Sequence, residues 1–146
     1  DYYYTYCQSF TALSKDEEAR EKLAELDAFI LANTTFTVYD KNVAFLQSSK
    51  LHGEFAMKDK NYSEAITHYQ LYLHHSNLLK SDGHIAIALN KIARAYQFSG
   101  NNKQALDYFK QSYFTIAELE KALLLYKNNA DVLADLSENK SKGMDT

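Results

Sequence analysis

Residues 92–112 read IARAYQFSGNNKQALDYFKQS, and the order of residue types in this stretch decides the fold class. Ala93 is small, and the aromatic Tyr96 follows three residues later. Ser99-Gly100-Asn101-Asn102 then interrupts the helical pattern at a glycine free to take a positive φ. Beyond it, Ala105 and Phe109 restart the spacing of a helix face. The stretch therefore predicts a helix, a tight turn and a second helix. Small residues let the two helices approach closely, and aromatic residues fill the space beside them.

The same brick lies 40 residues upstream. Gly53 falls on Ala93, Asn61 on Asn101, Ala65 on Ala105, Ile66 on Leu106 and Tyr69 on Phe109. A fainter trace precedes it, where Cys7 and Ala19 stand twelve apart, as Gly53 and Ala65 do. This arrangement resembles the tetratricopeptide repeat, whose pattern places a small residue and then an aromatic in one helix, a turn glycine, and an alanine and an aromatic in the next. The resemblance is closest over 89–113 and looser over 46–73. Two departures accompany it: the repeat is 40 residues rather than about 34, and no proline ends the second helix. Both fit a second helix longer by a turn or two, as in the longer-repeat variety found among signalling and motor-adaptor members. The resemblance implies an all-α fold, with antiparallel helix hairpins stacked as a right-handed superhelix of about three hairpins and a long final helix. A plain antiparallel bundle also places small residues at its crossings and is the alternative architecture.

Composition supports long helices. The 146 residues contain no Pro and only 4 Gly, too few breakers for a sandwich or barrel. Hydrophobic residues are 46% and charged residues 24%, values that fit a globular chain and not a disordered one. The net charge of -3 argues against a general nucleic-acid binder, which needs a basic stripe. Cys7, the single cysteine, can form neither an internal disulfide nor a cysteine-based zinc site. Apolar runs such as Ile85 to Leu89 fall far short of the roughly 20 residues that cross a bilayer. No secretory signal is present. The chain begins with Asp1 rather than Met, so it is expected to be a piece of a larger protein, and the compartment stays open.

Six helices are expected along the chain. Tyr3, Tyr6, Phe10 and Leu13 share one face of the first. Ser14 ahead of Asp16-Glu17-Glu18 starts the second, which ends near Asn33. TTFTV, 34–38, is the connector, and Asp40 caps the third helix. Asp59-Lys60-Asn61 and Ser81-Asp82-Gly83 mark the next two turns. The last helix begins near Lys103 and meets no strong stop before Asn128-Asn129, or even Ser137. Hairpins are expected at about 2–33, 40–80 and 84–127 within one repeat domain, 1–136, followed by a polar tail, 137–146, that frays.

Catalytic constellations are not evident. His68 and His75 lie seven apart on one helix face and lack the i, i+4 pairing of a zinc-protease helix. Cys7 sits where the repeat wants a small buried residue. No glycine-rich phosphate loop exists. The chain is expected to be no enzyme and to carry no cofactor or metal.

The repeat register points to a partner instead. A helical solenoid forms a concave face from its first helices, and the family uses that face for peptides and proteins. Its groove positions here are Gln47, Lys50, Glu54, Met57 and Lys58 in one copy, and Asn90, Arg94, Gln97 and Phe98 in the next. An amide such as Asn90 both donates and accepts, so it can read an extended backbone. Lys50 and Arg94 can hold a carboxylate, although the set matches the family's two-carboxylate clamp incompletely. The expectation is a non-catalytic protein- or peptide-binding module, the interaction or sensor part of a larger regulatory or signalling protein. The alternative is a helical oligomerisation or scaffold segment that pairs as a homodimer through the last helix. Neither a nucleic acid nor a membrane is expected as a partner of this segment.

Overall fold

A computed structural model describes residues 16–144, apart from the side chains of Asn139 and of 141–144. Among the described residues there are five helices and no strand: α1 (Asp16–Ala32), α2 (Val38–Lys58), α3 (Tyr62–Leu78), α4 (Asp82–Phe98) and α5 (Asn102–Met144). The expected helix over Tyr2 to Leu13, with Cys7, and the start signal at Ser14 lie outside the described residues. The fold is all-α. Helices α2 and α3 form one antiparallel hairpin, α4 and α5 the next, and the two stack.

The turns explain this regularity. After α2, α3 and α4 the chain makes the same turn, with a left-handed residue at Lys60 (φ 59), Lys80 (φ 50) and Gly100 (φ 87). In each, the next amide reaches back five residues: Asn61 to the Ala56 carbonyl at 2.9 Å, Ser81 to Ser76 at 3.1 Å, Asn101 to Tyr96 at 2.9 Å. This pattern closes the last turn of a helix and satisfies its orphan carbonyls. Asn61 and Asn101 then cap the following helices, their side-chain oxygens accepting from the amides of Glu64 and Gln104 at 3.3 and 3.2 Å.

Three expected boundaries move. Thr37, not Asp40, caps α2: its hydroxyl accepts from the Asp40 amide at 3.1 Å, and the Asp40 carboxylate accepts from the Thr37 amide at 3.0 Å. The aspartate is the second half of a capping box, and the Thr37 hydroxyl, which donates to its carboxylate at 2.7 Å, and then the Thr37 amide lower its pKa. Gly83 is not a breaker but a first-turn residue of α4, because Lys80 takes the left-handed position instead. At the other end, α5 runs through Asn128-Asn129 and Ser137 to Met144. Asparagine costs a helix only about 0.7 kcal/mol relative to alanine, too little to stop it without a glycine or proline.

Gly53 and Ala93 occupy equivalent places, each buried and five residues before the last residue of its helix. A Cβ at Gly53 would lie 2.9 Å from Tyr69 Cζ and closer still to Cε1, so the ring rests on bare backbone. Ala65 and Ala105 are buried at the matching places in α3 and α5. Between the hairpins, Ala56, Ala65 and Tyr69 pack on Ile92 and Ala95, and Leu46 and Tyr72 pack with Ala88. Tyr96 stacks on Tyr108 with centroids 5.6 Å apart. Tyr108 thus joins this cluster, while Phe109, expected as the filler, is half-buried.

Helix α1 lays Ala19, Leu23, Leu26 and Ile30 against Ala44, Leu51 and Phe55 of α2. Arg20 grips Asp59 through two nitrogens, at 2.8 and 2.9 Å, with its guanidinium 4.6 Å from the Phe55 ring centroid.

Candidate functional site

The stack leaves a cleft of about 530 Å³ between α2, α4 and α5, with Tyr69 of α3 in its lining. Helix α2 contributes Glu54 and Met57, one turn apart by the three-residue spacing. Helix α4 contributes Ile87, Asn90, Arg94 and Phe98, which recur at helical spacing along one face. Helix α5 supplies the opposite wall with Ile116 and Leu119. Beneath it, the buried Ser112 hydroxyl donates to the Ala86 carbonyl at 2.9 Å and ties the wall to α4.

The charges are arranged unequally. Lys91 donates to Glu54 at 3.1 Å, and its ammonium lies 5.6 Å from the Tyr69 ring centroid. Burial, and then the Glu54 charge, push the Tyr69 phenol far up, so it stays neutral. Arg94 is exposed and Asn90 half-buried, and neither has a polar partner among the described residues. The cleft therefore offers an apolar wall, a neutralised ion pair, a free amide and a free guanidinium.

Of the expected groove positions, Glu54, Met57, Asn90, Arg94 and Phe98 converge on the cleft. The others do not line it. Lys50 and Gln47 are half-buried earlier on α2, because the cleft opens beside the last turns of that helix. Gln97 is exposed, rotated about 60° from Arg94 by its three-residue offset. Lys58 is drawn away to Asp16 of α1, with Nζ to Oδ1 at 2.7 Å. The sequence reading missed Ile87, Lys91, Ile116 and Leu119. Ile87 stands 40 residues after Gln47, so the repeat register could have found it. Ile116 and Leu119 follow Phe109 and Tyr113 at spacings of 4, 3 and 3, so the pattern of one α5 face contains them.

The histidines are packing residues. His52 and His68 stack with centroids 4.9 Å apart. His52 Nε2 lies 2.7 Å from Asp27, which also accepts from the Ser48 hydroxyl. His75 stacks on Phe45 at 5.8 Å, and His84 Nδ1 lies 2.8 Å from the Tyr72 hydroxyl. Burial, and then the Glu54 charge, push the Tyr72 phenol up to about 12, so it keeps its proton. Among the described residues, no group of three or more His, Cys, Asp or Glu could hold a metal ion. Nor is any described helix long and apolar enough to cross a membrane.

Residues 44–113 match the family model for the tetratricopeptide repeat. No curated protein and no solved structure matches the chain.

Proposed function

Residues 44–113 belong to the tetratricopeptide repeat family, whose repeats generally mediate protein–protein interaction, and from that premise we propose that the cleft docks an extended peptide segment of a partner protein. The observation that carries the reading is the convergence of Asn90 and Arg94, both without polar partners among the described residues, beside the apolar wall of Ile87, Ile116 and Leu119. Asn90 offers a donor and an acceptor to a peptide backbone. Arg94 attracts an acidic group, and the wall receives one apolar side chain. Lys91 is already neutralised by Glu54 and serves as structure. The module works without catalysis, as the family typically does, and acts as the interaction or sensor part of a larger regulatory or signalling protein.

The test is selection from a displayed random-peptide library. The expected winners pair an apolar residue with Asp or Glu and lose about tenfold in affinity for the Asn90→Ala/Arg94→Ala double variant, while helical content and melting stay unchanged. Winners that bind the double variant equally well discard the site.

A second reading, an oligomerisation or scaffold segment built on α5, is favoured by the exposure of Leu123, Leu124, Leu125 and Tyr126, four consecutive residues with no described neighbour to cover them.

A further inference from the structure

The distal part of α5 carries a seam. Ala122, Leu125, Asn129, Val132 and Leu136 recur at spacings of 3, 4, 3 and 4, the heptad pattern by which two helices pack side by side. Tyr126 and Leu133 flank the seam on one edge, and Lys121, Asn128 and Asp135 on the other. Leu125, Val132 and Leu136 are 63%, 57% and 55% exposed, so the seam is open in the single chain. It begins just past Leu119, the last α5 residue that lines the cleft. The seam is turned about 130°, more than a third of a turn, from Ala105 and Ser112, the buried α5 residues, by the rotation of an α-helix. Pairing along it leaves the cleft free.

We propose that this seam pairs with a second copy of itself, antiparallel, about a two-fold axis at Asn129. This deepens the scaffold reading by naming its partner, orientation and register. Three features of the sequence fit a second copy in that orientation. Centred on residue 129, the pairing sets Ala122 against Leu136 and Tyr126 against Val132, large beside small in both of those layers, and Leu125 against Leu133 between them. Asn129 meets its own copy on the axis, where each amide can donate to and accept from the other, a polar contact that fixes register. Antiparallel helices bring equivalent edges together, so Lys121 lies near the partner's Asp135 twice over, while the other edge joins Tyr126 to Leu133. A parallel pair would instead set Lys121 beside Tyr126 and Asn128 beside Leu133. Lys121 leans on Glu118 at 2.9 Å in the single chain, but that pair is exposed and holds it weakly. Two heptads sit at the small end of interface size, so the dimer is a weak one.

Sedimentation equilibrium of the whole chain over two decades of concentration is expected to show monomer and dimer in exchange. A concentration-independent monomer overturns both the proposal and the scaffold reading. Lys121→Glu should weaken association about tenfold, and adding Asp135→Lys should restore it. A double variant as weak as the single one overturns the register. Orientation is read by oxidative cross-linking in a Cys7→Ser background. Ala122→Cys chains should cross-link when mixed with Leu136→Cys chains and not with one another. Self-cross-linking of Ala122→Cys overturns the antiparallel seam while leaving the scaffold reading standing.

Discussion

The hairpins α2–α3 and α4–α5 are the same brick closed in two ways. In the first, a glycine at the crossing lets Tyr69 lie on bare backbone, while Lys60 is forced into the left-handed turn. In the second, Ala93 suffices at the crossing, and Gly100 takes the turn at no steric cost. One hairpin spends its glycine on packing and the other on the turn. The repeat thus tolerates strain at either place, but the two strains differ in size, and substitutions can measure the difference.

The largest expected effect is common to both bricks. Ala105 is buried at the α5 crossing, and Ala105→Glu would bury a charge without a partner. Urea unfolding should show a loss of about 4 kcal/mol; a wild-type midpoint would reject the register. Gly53→Ala comes next. Tyr69 is 3% exposed and cannot swing aside, so the loss should be about 3 kcal/mol, with Ala93→Gly at the equivalent place costing only about 1 kcal/mol in helix propensity. Equal losses for those two variants would erase the contrast. The turns should respond with opposite signs. Lys60→Gly removes the strain of a left-handed lysine and should raise stability by about 1 kcal/mol, whereas Gly100→Ala introduces that strain and should lower it by a similar amount.

The smallest effect is a pH dependence confined to the first hairpin. Burial lowers the pKa of His68, helped by the His52 charge and opposed by Glu64 and Asp27; burial lowers that of His75, helped by His74. Both rings are therefore held neutral in the folded state. Their contribution is complete above the unfolded histidine pKa, about 6.5, and is lost as pH falls toward the depressed folded values. The melting temperature should drop between pH 7 and pH 5, and His68→Gln with His75→Gln should make that drop shallower. An unchanged slope would mean that neither ring titrates differently on folding.

Much of the fold was readable because its signals are local. The small residues Gly53, Ala65, Ala93 and Ala105 repeat at a fixed offset, and a close helix crossing demands them wherever it recurs. Turns at Asn61 and Asn101 were readable for the same reason, since a capping side chain acts within three residues. What escaped was decided by competition or by distance. Gly83 looked like a breaker, but the neighbouring Lys80 could take the left-handed position, and nothing in either residue alone ranks them. Asp40 carries the cap signal and Thr37 sits inside the TTFTV connector, and only their reciprocal bonds show that Thr37 leads. In the cleft, Asn90 and Arg94 were legible from the repeat register. Lys91 was not, because its place depends on an ion pair to Glu54, 37 residues away on another helix. Lys58 failed for the converse reason: Asp16, on a helix outside the matched repeat, claims its charge.

The unbroken length of α5 has a mechanical consequence. One stretch of that helix, at Ile116 and Leu119, borders the cleft, and the same rod continues 25 residues further to Met144, a span of about 38 Å at 1.5 Å per residue. A guest that pries that border open by about 5° would carry the distant tip through about 3 Å, because a continuous helix has no joint at which to absorb the swing. Occupancy at one end would thereby become displacement at the other, with leverage set by nothing more than the missing turn.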